Sequence, residues 1–135
     1  MKQAEFKAEV DNLDKVMAFI DEQLEASGCP MKIQTKIEIA VEEIFVNIAS
    51  YAYTNETGTA VISIQISDDS LARITFTDSG VPYDPLAKPD PNVFLPLNER
   101  NVGGLGIFMV KNIIDNVYYE YKDGYNILTL ENKLG

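Results

Sequence analysis

Glu43 and Asn47 stand four residues apart in IQTKIEIAVEEIFVNIASYAY, residues 33–53, and their types could do chemistry together. A carboxylate can take a proton from a hydroxyl or a water. An amide oxygen is a hard ligand that suits magnesium and leaves room for water and phosphate oxygens. Asp78 ends LARITFTD and is followed by Ser79 and Gly80. A carboxylate facing an apolar pocket there would accept a hydrogen bond from an amino group, and the exocyclic amine of adenine would fit. Gly103, Gly104 and Gly106 precede IFMVKNIID. Free N–H groups and the dipole at a helix start favour phosphate, and glycines let backbone approach it closely.

Each feature also has an ordinary reading. Glu43 and Asn47 suit a boundary pair hydrogen-bonded to nearby loops. An Asp at a strand end commonly forms a turn. GGLG equally suits close helix packing or a plain turn, and it is not the G-x-x-x-x-G-K-[ST] phosphate loop.

The elements that must position these residues follow from periodicity. Ile33, Ile37, Ala40, Val41, Ile44, Ile48 and Tyr51 fall at helical spacing and predict a helix over residues 33–53. On it Glu38 and Glu42 point to water, while Glu43 and Asn47 share one flank of the stripe. Ahead of it, residues 5–10 alternate like a strand. A helix capped by Asp11 or Asn12 then carries Leu13, Val16, Met17, Ile20 and Leu24, and ends at Ser27-Gly28-Cys29-Pro30. Residues 60–67 and 71–78 read as strands, with Ala72, Ile74, Phe76 and Asp78 on one face. Residues 79–101 are proline-rich and aperiodic, and a lid is expected over about 84–101. A helix follows GGLG and ends near Asp115. Residues 117–122 and 125–132 form a hairpin on Asp123-Gly124. About five strands and three helices predict an α/β (α+β) fold, a two-layer sandwich with helices on one sheet face.

Composition narrows the function. The chain has 135 residues, expected to form one domain over 1–135. Its formal net charge of −10 repels nucleic-acid phosphate and anionic lipid, so neither nucleic acid nor membrane is an expected partner. With no histidine, histidine triads, histidine metal sites and phosphohistidine chemistry are excluded. The one cysteine, Cys29, has no mate for an intramolecular disulfide. No apolar run approaches the roughly 20 residues of a membrane span, and the amino terminus lacks a signal-peptide centre. A cytoplasmic protein is expected.

Taken together, Glu43-x-x-x-Asn47 resembles the N box of the GHKL ATPase/kinase superfamily. Asp78-Ser79-Gly80 resembles its first glycine box and Gly103-Gly104-Leu105-Gly106 its second. YDPLAKPDPN and NVGGLGIFMVKNIIDNVYYEYKDGYNILTL look like the small anti-sigma factor serine kinases of bacterial stress and sporulation switches, over nearly the full chain. The resemblance implies the Bergerat ATP-binding fold, with a mixed, mostly antiparallel sheet and a lid between the glycine boxes. It implies ATP and Mg²⁺: Asn47 as metal ligand, Glu43 as catalytic base, and Asp78 with Gly80 holding adenine. Gly104, Leu105 and Gly106 would offer amides to the phosphates. Asn126, inward with Leu128 and Leu130, would sit beside the adenine-binding Asp; a hairpin polar residue satisfied by backbone is the equal alternative. Asp84 reads as a lid turn residue and Arg100 as a solvated lid charge. Two features depart from the family: DSGVPYDP lacks a second glycine two residues on, and the first helix carries Lys15 where some members use an arginine. The implied function is a serine/threonine protein kinase acting on an anti-anti-sigma STAS-domain protein and sequestering an RNA polymerase sigma factor, commonly as a homodimer. The alternative is an ATP-dependent protein-binding switch without phosphotransfer.

Overall fold

The computed structural model describes residues 1–53, 57–87 and 105–135. The elements are β1 (Lys2–Lys7), α1 (Leu13–Ala26), α2 (Met31–Asn47), β2 (Thr59–Ile66), β3 (Leu71–Asp78), α3 (Leu105–Ile113), β4 (Asn116–Lys122) and β5 (Tyr125–Lys133). The first strand lies about three residues earlier than the alternation at 5–10 suggests. Gly28, at φ +76°, ends α1. Its N–H donates to Glu25 O (3.1 Å) and the Cys29 N–H to Leu24 O (3.0 Å), the paired bonds of a left-handed helix cap. At the other end of α1 the Asn12 side chain donates to Lys7 O instead of capping the helix.

The five strands form one sheet in the order β1-β2-β3-β5-β4. Every pairing is antiparallel, where a mixed, mostly antiparallel sheet is expected. The physical reason lies in the α3 crossover. It carries the chain from β3 to a position one strand beyond its neighbour, and the β4–β5 hairpin folds back to fill the gap. Asp123 and Gly124 turn that hairpin with φ of 54° and 86°, the left-handed pair that a two-residue turn requires.

Alternation sorts the sheet into two faces. Ala60, Ile62 and Ile64 of β2, Ala72, Ile74 and Phe76 of β3, and Leu128 and Leu130 of β5 are buried. They share one cluster with Val16, Ile20 and Leu24 of α1, Ile37, Ala40, Val41, Ile44 and Phe45 of α2, and Ile107 and Val110 of α3. The opposite face carries polar cross-strand pairs. There Thr75 faces Thr129, and Arg73 donates to Glu131 Oε2 at 2.7 Å. This is the two-layer α+β sandwich that the periodicities predict. No helix among the described residues is long and apolar enough to cross a membrane.

Glu38 departs from its expected course to water. It is half-buried at the seam between α1 and α2, where Asp21 also accepts a hydrogen bond from Gln34 Nε2 (3.2 Å). Burial, then the hydrogen bond and negative charge of Asp21, then the charge of Glu25, push the Glu38 carboxyl up from 4.5 to about 7. A carboxyl–carboxyl hydrogen bond needs a proton, which the folded chain therefore retains over this window. The sign follows: this contribution to stability is complete below pH 4.5 and is lost as pH rises through about 7. Glu38→Gln supplies a permanent donor to Asp21. After allowance for solvent screening it should stabilise the fold at pH 8 by on the order of 1 kcal/mol, with no gain in acid. Thermal melts of both proteins from pH 4 to 8.5 test this, and parallel curves would show that the seam does not titrate.

Candidate active site

Antiparallel register sets Asp78, the last residue of β3, opposite Asn126, the second of β5. Both side chains are on the core face and 6% exposed. A carboxylate there needs donors. Asp78 Oδ1 accepts from the Gly80 N–H (2.9 Å) and from Asn126 Nδ2 (2.9 Å), while Oδ2 has no donor among the described residues. Asn126 Nδ2 also donates to Val81 O at 2.9 Å, with Gly80 O further off at 3.5 Å. Its Oδ1 accepts from the Tyr83 N–H (3.1 Å) and from the Tyr119 hydroxyl. Burial raises the Tyr119 pKa most; the Tyr83 amide opposes this, and the charges of Asp84 and Asp78 add to it. Tyr119 therefore remains a neutral donor.

Beside Asp78 opens an apolar pocket, with about 470 Å³ of space when the open solvent at its mouth is counted. Apolar side chains dominate its walls: Ile44 and Ile48, Ala52, Phe76, Val81 and Leu128. Asn47 and Tyr51 also line it. The expected helix over 33–53 ends as α-helix at Asn47 and continues as one π turn, Ile48–Ala52. That turn takes Tyr51 off the apolar stripe and leaves it 65% exposed at the pocket wall.

The π turn also carries the contact that joins α2 to the loop after β3. The Val81 N–H donates to Ala52 O at 2.9 Å. A Cβ on Gly80 would lie 2.2 Å from the same oxygen, so only glycine allows this approach. Tyr53, next in the chain, accepts from the Ser79 N–H (3.0 Å) and donates to Thr59 O (2.6 Å) through one hydroxyl. Gly80 thus acts through its amide on Asp78 and through its missing side chain on Ala52.

Glu43 lies one turn before Asn47 and faces α3. A Cβ on Gly106 would meet Glu43 Oε2 at 2.0 Å and its Cδ at 2.6 Å, so the carboxylate rests against bare backbone in the first turn of α3. Leu105 and Gly106 occupy that turn, where N–H groups lack helical acceptors. Asp84 accepts from the Leu86 N–H (2.8 Å), the turn-forming role expected of it. Gly104, Gly103, Arg100 and the lid beyond residue 87 lie outside the described residues. The expected residues therefore fall in two groups: Asn47, Asp78 and Asn126 line the pocket, with Gly80 bonded to Asp78, and Glu43 lies with Gly106 at the start of α3, where Leu105 also stands. Sequence reasoning missed Tyr119, Tyr53 and Gly80's contact with Ala52. The alternation of VYYEYK turns Tyr119 inward and is the one signal that could have found it.

Gly80→Ala tests the contact between the loop and the π turn. Its methyl would press on backbone, which has little freedom to yield, and should cost on the order of 1–3 kcal/mol. Urea unfolding measures the loss, and hydrogen exchange at the Val81 amide should accelerate. Unchanged stability and exchange would mean that loop and turn separate freely.

The sequence profile of the histidine kinase-like ATPase domain matches residues 6–131, a span that includes every side chain described above. The chain is similar to the serine/threonine-protein kinase BtrW of Bordetella bronchiseptica, 24% identical over 99 residues, covering 73% of this chain and 70% of that one. It is similar also to the serine-protein kinase RsbW of Bacillus cereus, 26% identical over 96 residues; the match covers 68% of this chain and 59% of RsbW. Among solved structures, that of the RsbU and RsbW domains of Rv1364c from Mycobacterium tuberculosis superposes with a TM-score of 0.70 at 17% identity, over 99% of this chain and 33% of that one. The catalytic domain of the histidine kinase ThkA gives 0.57 at 16% identity, over 99% and 97%. These structural likenesses speak for the fold. The profile match over residues 6–131 is what assigns the chain to a family: it belongs to the histidine kinase-like ATPase domains, of the GHKL type.

Proposed function

We propose that this chain is a serine/threonine protein kinase that transfers the γ-phosphoryl group of ATP to a serine of an anti-anti-sigma protein of the STAS class. It sequesters an RNA polymerase sigma factor once that antagonist is phosphorylated. A single domain acting as a cytoplasmic homodimer belongs to the same reading. The observation that carries it is Asp78: a buried carboxylate lining an apolar pocket, with Oδ1 saturated by protein donors and Oδ2 left to accept from a ligand's amino group. The names of the two kinases similar to this chain, BtrW and RsbW, support the choice of reaction.

In this reading adenine enters the pocket with its amino group on Asp78, and the phosphates run towards the start of α3. The amides of Leu105 and Gly106, with Gly104 before them, receive the phosphate charge. The residues fit magnesium as well. Asn47 lines the pocket and its amide has no protein partner among the described residues. No group of three or more His, Cys, Asp or Glu among them could hold a metal ion. One amide oxygen suits an ion that keeps water and phosphate as its other ligands. Bound there, Mg²⁺ would neutralise charge on the transferring group. Glu43 takes the proton of the acceptor serine as the serine oxygen bonds to the γ-phosphorus and the bond from that phosphorus to the β-phosphate oxygen of departing ADP breaks.

The second reading, an ATP-dependent switch that holds its partner without transfer, draws support from Lys15. It is exposed on α1, a helix without the arginine that some relatives use.

Three substitutions separate these outcomes when binding and transfer are measured together, with labelled ATP–Mg²⁺ and the STAS protein encoded nearest to the chain. Asp78→Asn should weaken ATP binding by about 1.5–3 kcal/mol, one charge-assisted hydrogen bond; equal affinity with the fold intact would sink the base assignment. Asn47→Ala should abolish the rise in ATP affinity on adding Mg²⁺, and a persisting rise would put the ligand elsewhere. Glu43→Gln should keep ATP affinity while transfer falls by about 10²–10⁴-fold, with Glu42→Gln as the solvent-facing control. Tight ATP binding by the wild type with no transfer would leave the switch standing.

A further inference from the structure

Asn126 has four hydrogen-bonding valences, two donors on Nδ2 and two lone pairs on Oδ1. The protein fills all of them. Nδ2 gives one hydrogen to Asp78 Oδ1 and the other to Val81 O, both at 2.9 Å. Oδ1 receives the Tyr83 N–H and the Tyr119 hydroxyl. The amide cannot be reversed, since that would set its oxygen against a carboxylate and carbonyl oxygens. Asn126 thus has nothing left to offer a ligand. It joins the carboxylate of Asp78 to the backbone of residues 81–83, and the Tyr119 hydroxyl, reaching in from β4, holds the junction from the far side.

We propose that Asn126 and Tyr119, which both line the pocket, are positioning residues for base recognition: they hold Asp78 so that Oδ2 alone faces the base, and their own polar atoms, taken by protein partners, make no hydrogen bond to the nucleotide. The proposal rests on the reading of Asp78 as the acceptor for adenine, and it replaces direct contact by Asn126 with an indirect role. Asp78 Oδ1 is pinned twice, by the Gly80 N–H along the chain and by Asn126 across the sheet. Two donors on one oxygen fix the plane of the carboxylate, which one would leave free to rotate. The same Asn126 holds Val81, whose side chain forms part of the pocket wall. Tyr119 matters because it occupies the second lone pair of Oδ1. Without it the amide is held on that side by the Tyr83 N–H alone, which lies at 3.1 Å.

A base analogue makes this testable. Purine riboside triphosphate lacks the 6-amino group and cannot donate to Asp78, so the ratio of ATP affinity to analogue affinity reports on the Asp78 contact alone. Calorimetry with Mg²⁺ should find that wild type prefers ATP. Tyr119→Phe keeps the ring and removes one hydroxyl. It should cut that preference by roughly 5–10-fold, the worth of about one neutral hydrogen bond, with analogue affinity unchanged. In an Asn126→Ala background the same change should have no further effect on the ratio, because its influence passes through Asn126. An equal loss for both nucleotides in Tyr119→Phe would mean a general structural role and overturn the proposal. So would a preference that survives Tyr119→Phe intact, and so would effects of the two changes that simply add. A wild type with no preference for ATP over the analogue would instead remove the Asp78 reading on which the proposal stands.

Discussion

A carboxylate on the core face of a sheet is costly unless each lone pair it turns towards the protein meets a donor. Asp78 imposes that demand on its whole surroundings. Its first oxygen recruits an amide from the loop that follows and a side chain from the neighbouring strand. The neighbour's own amide must then be satisfied, which draws in Val81, Tyr83 and Tyr119. One buried carboxyl group thereby organises the end of two strands, the edge strand beyond them and the residues that directly follow β3. Low local dielectric strengthens each of these bonds, and it makes the loss of any one expensive.

Two missing side chains complete the arrangement. Gly80 lets the loop amide of Val81 reach the helix-end carbonyl of Ala52; Gly106 leaves room for the Glu43 carboxylate. In both cases the glycine serves close approach and not a left-handed turn, unlike Gly28 and Gly124. One contact lies at the terminal π turn and the other a turn before the end of α2. The segment after β3 and the start of α3 thus both rest against the last turns of this helix.

Most of the fold was legible in the sequence because it rests on periodicity. The stripes of α1 and α2, the inward row of β3 with Asp78 at its end, and the Asp123-Gly124 hairpin depend on local spacing and appear as read. Placement within the candidate site was legible where residue type and spacing combine: Asn47 and Asp78 line the pocket and Glu43 lies against the start of α3. Three things were not. Glu38 faces water by helical geometry, but α1 packs over it, and no local rule states which helix will do so. Tyr51 continues the stripe at α-helical spacing, and the π turn breaks that spacing. The partners of Asn126 are Tyr119 on the neighbouring strand and three residues of 78–83, which precede it by 43 to 48 residues along the chain, so its role emerges only when the strands are in register.

The π turn has a consequence for how the chain can change. A turn with i→i+5 bonds accommodates one more residue than an α turn of the same advance. Deleting one residue between Ile48 and Ala52 would therefore let α2 run on as regular helix with the residues beyond it kept in phase. The Ala52 carbonyl would keep its direction towards Val81, and Tyr53 towards Ser79. Deleting a residue from the regular helix before Ile48 would instead turn everything beyond it by about 100° around the axis. The π turn is thus where α2 can lose a residue and keep its contacts with the segment after β3.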